Sequence, residues 1–261
     1  MRWVRYRHDQ KDSYGIAEGD DIVPVEGTPF GKHERGRGRI ALGKVQLLPP
    51  VIPPTFYAAG MNYAGHTAEM VGQIGADKAK KPAKADIGYR ANNALIGHEA
   101  PIVVPKESSG KIQYEPELVA VIGKTAKHLS EAEALSCVFG YTIGNDVSER
   151  SWQASDRTLW RAKNSDTFKP MGPWIETDVQ LDTLVTRVRL NGAKVAEFRT
   201  NEMVFGVARY ISEITRFITL HPGDVIWMGA DSPTRDMVAG DRVEIDIDGI
   251  GTLSNPIVAA A

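Results

Sequence analysis

Two glutamates, Glu115 and Glu117, lie two residues apart at the start of a run that is otherwise apolar, over residues 114–123. Residues i and i+2 of a β-strand point to the same face, so both carboxylates are predicted to converge. Adjacent like charges weaken a strand unless something offsets their repulsion. Carboxylate oxygens are the ligands that Mg²⁺, Mn²⁺ and Ca²⁺ prefer, so the spacing indicates a divalent metal site. The alternative interpretation is a solvated strand end with two acidic residues.

A third acidic residue, Asp146, stands at the end of the next predicted strand, within residues 141–148. It is the candidate third metal ligand, although an Asx turn or a helix cap would use the same residue type. Arg150 and Gln153 follow at spacings that let both side chains project back towards Asp146 from a short helix. These three positions predict a polar pocket around the carboxylates.

His66 and Glu69 are three residues apart, in a segment predicted to become helical after a short strand at 55–60. A carboxylate on one ring nitrogen fixes the tautomer of a histidine and raises the basicity of the other nitrogen. The pair is therefore a candidate general base that deprotonates water. The alternative is an ordinary i,i+3 pair on a surface helix.

Two further cationic segments are candidates for the same pocket. Residues 75–86 are small and lysine-rich, as expected of a lid that attracts an anionic substrate or of a plain surface loop. Lys163 and Asp166 precede a Pro- and Gly-rich stretch at 169–175, and the intervening loop is predicted to bring them to a pocket. A lysine without such a context is normally a solvated surface charge.

Short strands dominate the remaining pattern and predict a mixed, β-rich α+β fold. Strict alternation around Asn191-Gly192 predicts a hairpin over 185–198, and apolar spacing predicts helices at 131–139, after a Ser130–Glu133 capping box, and at 204–217. The prolines of 49–54 exclude helix and fix an extended path. They divide the chain into a small N-terminal domain, residues 1–48, and a main domain, residues 49–261.

Composition restricts the class of protein. The chain has 261 residues, and its 42% hydrophobic content is enough for a sizeable core. Lys and Arg total 31 against 33 for Asp and Glu, which argues against nucleic acid or an anionic membrane as partner. The single cysteine, Cys137, excludes an internal disulfide and fits a reducing compartment. Neither a signal peptide nor a membrane-spanning run is evident, so a cytoplasmic protein is predicted.

Taken together, these residues resemble the fumarylacetoacetate hydrolase family over about residues 50–257. The matching strings lie at 60–69, 114–118, 144–153, 163–174 and 220–226, and their order and spacing carry the resemblance. The family implies a β-rich fold with a β-roll or barrel-like core and a small N-terminal domain, as a homodimer. The chain departs from the family at Ala230 and Arg90, where a threonine and a lysine are common.

The resemblance also implies roles for individual residues. Glu115, Glu117 and Asp146 match ligands of Mg²⁺ or Mn²⁺, with Ca²⁺ as a further candidate. His66 with Glu69 matches a water-activating dyad, and Lys163 matches a lysine that polarises a substrate oxygen. Four residues are assigned to the substrate pocket: Tyr63, Arg150, Gln153 and Asp166.

The first function expected is metal-dependent hydrolysis of a C–C bond in an acylpyruvate-like acid, within the catabolism of aromatic compounds or sugar acids. A metal at such a site stabilises the enolate that forms when the bond breaks. The same enolate is an intermediate for a 2-hydroxyhepta-2,4-diene-1,7-dioate isomerase or an oxaloacetate-type decarboxylase, which are the close alternatives. A binding or scaffold protein without turnover is the distant one, and His66, Glu69 and Lys163 argue against it.

Overall fold

Strands dominate the computed structural model, which describes residues 1–76, 79–80, 82–231 and 233–261. The strands are β1 (Arg2–His8), β2 (Lys11–Glu18), β3 (Asp21–Gly27), β4 (His33–Arg35), β5 (Ile40–Ala41), β6 (Gln46–Leu48), β7 (Phe56–Ala59), β8 (Ile87–Tyr89), β9 (Leu95–Ile96), β10 (Ile102–Val104), β11 (Ile112–Gln113), β12 (Pro116–Ile122), β13 (Val138–Asn145), β14 (Ser148–Glu149), β15 (Lys169–Glu176), β16 (Val185–Leu190), β17 (Ala193–Arg199), β18 (Val225–Trp227), β19 (Asp236–Met237), β20 (Arg242–Ile247) and β21 (Gly251–Ala259). The α-helices are α1 (Ala64–Ile74), α2 (Arg150–Gln153), α3 (Trp160–Asn164) and α4 (Val207–Phe217), with 3₁₀ turns at Leu42–Lys44, Asn92–Ala94, Ala134–Cys137 and Leu181–Thr183. The predicted mixed, β-rich α+β fold is confirmed.

The largest sheet has the order β4-β3-β2-β1-β15-β13-β12-β18-β7-β8, with β5, β6 and β9 paired to its side. Among the strands described, this path is open rather than closed into a barrel. Residues 1–48 join it through β1, where Arg2 pairs with Glu176 and Trp3 with Ile175 on β15. The N-terminal segment therefore shares a sheet with the main part of the chain, and the domain boundary near residue 48 stays a prediction.

The central pair of strands, β12 and β13, brings distant acidic residues together. The strands are antiparallel, with Pro116 opposite Asn145 and Glu117 opposite Gly144. Every residue of β12 is buried, as its apolar composition requires of a strand with neighbours on both sides. A Cβ on Gly144 would lie 2.6 Å from the Trp227 ring, so only glycine allows β18 to pack this closely.

The local predictions away from the site have mixed outcomes. The hairpin is confirmed, with Asn191 and Gly192 at φ values of 53° and 79°, as its tight turn requires. The helix predicted at 204–217 is present as α4. The helix predicted at 131–139 is wrong: the Ser130 hydroxyl lies 2.5 Å from Glu133 Oε2, but only a 3₁₀ turn follows it. A short segment that enters β13 so soon has no room for a longer helix.

The segment interpreted as a lid is only partly described. Asp77, Lys78 and Lys81, on which the lid interpretation depends, lie outside the described residues. Before them α1 continues to Ile74, and after them β8 begins at Ile87. Over the described ranges, none of the helices has both the length and the apolar character needed to cross a bilayer.

Candidate metal centre

The structure brings Glu115, Glu117 and Asp146 into one buried cluster. Glu115 immediately precedes β12, Glu117 belongs to it, and Asp146 follows β13. One carboxylate oxygen from each residue lies within 4.8 Å of those of the other two. The pairing of β12 with β13 creates this arrangement, because it places the ends of the two strands side by side.

Two cations hold the carboxylate of Glu115. Lys163 Nζ lies 2.6 Å from its Oε2, and Arg150 Nη1 lies 2.5 Å from its Oε1. Burial alone raises the pKa of Glu115, but Lys163 and Arg150 outweigh it and lower that pKa to about 2. Glu115 is therefore ionised throughout the neutral range, as a metal ligand must be.

Asp146 is contacted by three cations. Lys163 Nζ and Arg90 Nη2 each lie 2.8 Å from its Oδ2, and Lys169 Nζ lies 2.6 Å from its Oδ1. Despite burial, Arg90, Lys163 and Lys169 hold the pKa of Asp146 well below its usual range. Burial also shifts the neighbouring cation: it lowers the pKa of Lys169 to about 8, although the charge of Asp146 acts in the opposite direction.

Glu117 has a different environment from the other two acids. Its Oε2 accepts a hydrogen bond from the backbone N–H of Gly229 at 2.7 Å. Burial, followed by the charges of Asp146 and Glu115, raises the pKa of Glu117 well above its usual range. A divalent cation between the three carboxylates would offset this repulsion, so the residues present fit a hard metal ion.

His66 lies beside the cluster, with Nε2 3.7 Å from Glu115 Oε1. Burial is the main cause that lowers the pKa of His66, so its ring is neutral at neutral pH. Its Nδ1 has no hydrogen-bond partner in the described part of the chain. The bond expected between His66 and Glu69 is therefore not formed, and Glu69 Oε1 instead lies 2.8 Å from the hydroxyl of Thr234.

Arg150 and Gln153 also line the cluster. Arg150 Nη1 donates to Gln153 Oε1 at 2.8 Å, and its Nε donates to Gln113 Oε1 at 2.7 Å. Arg150 Nη2, like His66 Nδ1, is buried without a hydrogen-bond partner within the described ranges. Buried polar atoms are rarely left unsatisfied, so both atoms indicate where a polar ligand would bind.

Two residues assigned to the substrate pocket are held elsewhere. The hydroxyl of Tyr63 donates to the backbone carbonyl of Thr200 at 2.5 Å. Asp166 is exposed and accepts a hydrogen bond from Asn93 Nδ2 at 2.7 Å, in a separate surface cavity that Trp160 also lines. Asp166 is thus not brought to the carboxylates. Tyr63 lies closer to them, because the charge of Glu117, after burial, contributes to raising the pKa of Tyr63. Its substrate role stays a prediction.

Arg90, Lys169 and Gly229 are contacts of the cluster that no motif assigned. Arg90 lines a cavity of about 310 Å³ together with Gly60, Met61, Lys80 and Leu159. One sequence signal was available for Lys169, since a lysine that opens a Pro-, Met- and Trp-containing strand is unusual. Gly229 depends on long-range packing and carries no such signal. Arg90 stood out in the sequence only as a departure from the family, which did not indicate its contact with Asp146.

Three buried carboxylates, several converging cations and a neutral imidazole on a β-rich scaffold define a protein with a candidate divalent-metal centre. Family models cover almost the whole chain. Residues 55–258 match the fumarylacetoacetate (FAA) hydrolase C-terminal model, and residues 1–50 match the Rv2993c-like N-terminal model. The chain belongs to the fumarylacetoacetate hydrolase family.

Its relatives include named enzymes. The chain is 39% identical over 233 residues to protein Rv2993c of Mycobacterium tuberculosis, with 88% of this chain and 85% of that protein covered. It is 35% identical over 232 residues to the mitochondrial oxaloacetate tautomerase fahd2 of Xenopus laevis, with 84% and 70% covered. The crystal structure of 2-hydroxyhepta-2,4-diene-1,7-dioate isomerase from Mycobacterium marinum matches with a TM-score of 0.88 and 35% identity, over 100% of this chain and 99% of that one.

Proposed function

We propose that this protein is a metal-dependent enzyme that stabilises the enolate of a small 2-oxo acid and transfers a proton, as an isomerase or tautomerase does. The observation that carries the proposal is the contact of Lys163 with both Glu115 and Asp146, at 2.6 and 2.8 Å. It puts a positive charge at the junction of two candidate ligands. Negative charge that develops on a substrate oxygen at this point is stabilised by a cation already in place.

Glu115, Glu117 and Asp146 would hold the metal ion, with Mg²⁺ or Mn²⁺ as the leading candidates and Ca²⁺ as a third. When bound, such an ion supplies Lewis-acid polarisation of the keto oxygen. The carboxylate donor set and its burial support this assignment.

His66 is the candidate proton carrier. Because burial lowers its pKa, the imidazole is neutral and able to accept a proton near neutral pH. The negative charge of Glu115 and, more weakly, that of Glu69 favour the protonated ring, although His66 and Glu69 are not hydrogen-bonded. In this proposal Glu69 stabilises the imidazolium by its charge, while its contact with Thr234 fixes its position.

The cavity beside Arg90 supports a small, anionic substrate. Its volume of about 310 Å³ suits a short acid, and its walls include two basic residues, Arg90 and Lys80, and one acidic residue, Asp86. A guanidinium binds a carboxylate through two parallel hydrogen bonds, as Arg90 does with Asp146, donating from Nε to Oδ1 and from Nη2 to Oδ2. A substrate carboxylate is therefore proposed to bind near Arg90.

Proton transfer is preferred because the tautomerase and the isomerase are each 35% identical to this chain. Hydrolysis of a C–C bond in an acylpyruvate is the second candidate. The unsatisfied Nδ1 of His66 and Nη2 of Arg150 favour it, since they would bind an attacking water and an oxyanion. Decarboxylation of a 2-oxo acid would use the same enolate.

The test separates these reactions by their products. Metal-free enzyme is reconstituted with Mg²⁺ or Mn²⁺ and incubated with oxaloacetate, a 2-hydroxy-diene-dioate and an acylpyruvate, and products are followed by ¹H NMR in D₂O. Proton transfer gives a single rearranged product with deuterium incorporated, whereas hydrolysis gives two fragments. His66→Gln and Lys163→Met serve as matched variants. Turnover that needs no metal, or that both variants retain in full, would contradict the proposal.

A homodimer and a cytoplasmic location, both expected from the sequence, complete the proposal. Sedimentation-velocity centrifugation of the purified chain checks the first. A single species at the monomer mass of 28.6 kDa, across micromolar concentrations, would contradict it.

A further inference from the structure

Lys169 is a completely buried lysine whose ammonium group is fixed on all sides. Its exposed fraction is 0%. Its Nζ lies 2.6 Å from Asp146 Oδ1 and donates to the backbone carbonyls of Phe168 and Val147, at 2.8 and 3.1 Å. An ammonium group has three N–H donors, so these contacts use all of them. Within the described ranges, these three oxygens account for the contacts of the ammonium group.

The two oxygens of Asp146 are thereby in different situations. Oδ1 faces Lys169, while Oδ2 lies 2.8 Å from Lys163 Nζ, which also contacts Glu115. Oδ2 is therefore the oxygen on the side of the other carboxylates. Arg90 contacts both oxygens: its Nε lies 3.1 Å from Oδ1 and 3.3 Å from Oδ2, and its Nη2 lies 2.8 Å from Oδ2. It also lines the adjoining cavity.

We propose that Lys169 is a positioning residue that keeps Asp146 Oδ1 out of the metal's coordination sphere, so that the site prefers Mg²⁺ or Mn²⁺ to Ca²⁺. The inference rests on the metal site of the proposed function. An ammonium 2.6 Å from Oδ1 makes a charge-assisted hydrogen bond that an incoming ion must break to bind both oxygens. Mg²⁺ needs only one oxygen from each carboxylate in its octahedral shell, whereas Ca²⁺ often takes carboxylates through both oxygens.

Lys163 provides the matched control. Lys163→Met removes the same charge from Oδ2 of this carboxylate rather than from Oδ1, and it also removes a cation from Oε2 of Glu115. A purely electrostatic effect would make both variants tighten every divalent ion alike. Coordination control by Lys169 instead predicts that only Lys169→Met changes the order of preference between ions.

The experiment is a calorimetric titration of metal-free wild type, Lys169→Met and Lys163→Met with MgCl₂, MnCl₂ and CaCl₂ separately. Lys169→Met is expected to raise the ratio of Ca²⁺ to Mg²⁺ affinity by about tenfold, because Asp146 becomes free to bind Ca²⁺ with both oxygens. Lys163→Met is expected to leave the ratio within about twofold of wild type. An unchanged ratio in Lys169→Met, or an equal change in both variants, overturns the inference. If wild type binds no divalent ion, the proposed metal site fails and this inference with it.

Lys169→Met leaves the backbone carbonyls of Phe168 and Val147 without their hydrogen-bond donor, so this variant could fail to fold. A second measurement therefore uses the wild-type protein alone. Crystals of wild type are soaked separately in MnCl₂ and CaCl₂. In the Mn²⁺ structure, one oxygen of Asp146 is expected on the ion, with Oδ1 still hydrogen-bonded to Lys169. Coordination of Mn²⁺ by both Asp146 oxygens overturns the inference.

Discussion

Asp231 caps the helix that carries His66. Its Oδ1 accepts a hydrogen bond from the backbone N–H of His66 at 2.9 Å, although the two residues are 165 positions apart in the chain. The first N–H groups of a helix have no partner within it, and a carboxylate also interacts favourably with the positive end of the helix dipole. A Cβ on Gly65 would lie 2.5 Å from this oxygen, so the contact depends on glycine there.

Gly65 and Gly72 both belong to α1, and replacing each by alanine is expected to change the stability of the protein in opposite directions. Gly65→Ala displaces Asp231 and is expected to lower the free energy of unfolding by about 1–2 kcal/mol, together with the activity that depends on His66. A Cβ on Gly72 meets nothing within 4 Å, so Gly72→Ala should raise the free energy of unfolding by up to about 1 kcal/mol, because alanine has the higher helix propensity. Urea denaturation measures both. If Gly65→Ala also stabilises, the Asp231 contact does not position α1.

Glu117→Gln is expected to weaken Mn²⁺ binding by at least about 100-fold, because a neutral amide replaces a carboxylate ligand. The fold should be retained, since the raised pKa of Glu117 shows that its charge is not stabilised without an ion. Calorimetry measures the affinity, and far-UV circular dichroism verifies folding. Glu133→Gln, at an exposed capping residue, is the control and should bind Mn²⁺ as wild type does.

Lys163→Met is expected to lower kcat by about 10²–10³, the loss typical when one group that stabilises a developing oxyanion is removed. Metal binding should persist or tighten, because a cation next to Glu115 and Asp146 has been removed. Steady-state kinetics and calorimetry on the same preparation test both statements. Lys127→Met, at an exposed position, is the control. Retention of wild-type kcat would exclude a catalytic role for Lys163.

Asp156 anchors α3, the helix that carries Lys163, and should make stability depend on pH. Its Oδ2 accepts backbone hydrogen bonds from Arg161 and Ala162, at 3.0 and 2.8 Å. Burial opposes ionisation, yet these bonds and the Arg161 guanidinium lower the pKa of Asp156 in the folded protein. The stabilisation is therefore present above the unfolded pKa of about 3.9 and is lost as pH falls through the lower folded pKa.

Asp156→Asn is accordingly expected to lower the free energy of unfolding by about 1 kcal/mol at pH 7. The difference in free energy of unfolding between the variant and wild type should narrow below about pH 4. There the unfolded wild-type chain takes up a proton on Asp156, while the folded protein does so only at lower pH. Urea denaturation from pH 7 to pH 3 gives the comparison, with Asp20→Asn as an exposed control. A difference that stays constant over this range would show that the charge of Asp156 does not contribute.

Sequence reasoning succeeded where the cause is local. The Asn191-Gly192 turn specifies its hairpin by backbone conformation alone, and the spacing of Glu115 and Glu117 follows from strand geometry. The same reasoning failed at 131–139, where a good capping box is followed by a strand that leaves no room for a helix. Local propensity there is overridden by the sheet.

The parts of the site that were missed depend on contacts between distant segments. Arg90 reaches Asp146 across 56 positions, and Gly229 reaches Glu117 across 112. No pattern within a short window encodes such contacts. The same limit applies to His66 and Glu69: their spacing allowed a hydrogen bond between them, but Glu69 accepts hydrogen bonds from Thr234 and Gln73.

The register of β12 against β13 has a consequence for how this chain tolerates insertions and deletions. The acidic residues depend on Pro116 standing opposite Asn145, and a slip by one position would turn the glutamates to the other face of the sheet. The connection over residues 123–137 contributes none of the candidate ligands, so its length can change while the strand ends stay aligned. A single deletion inside either strand would separate Glu117 from Asp146, whereas several extra residues near Ser130 would leave them together.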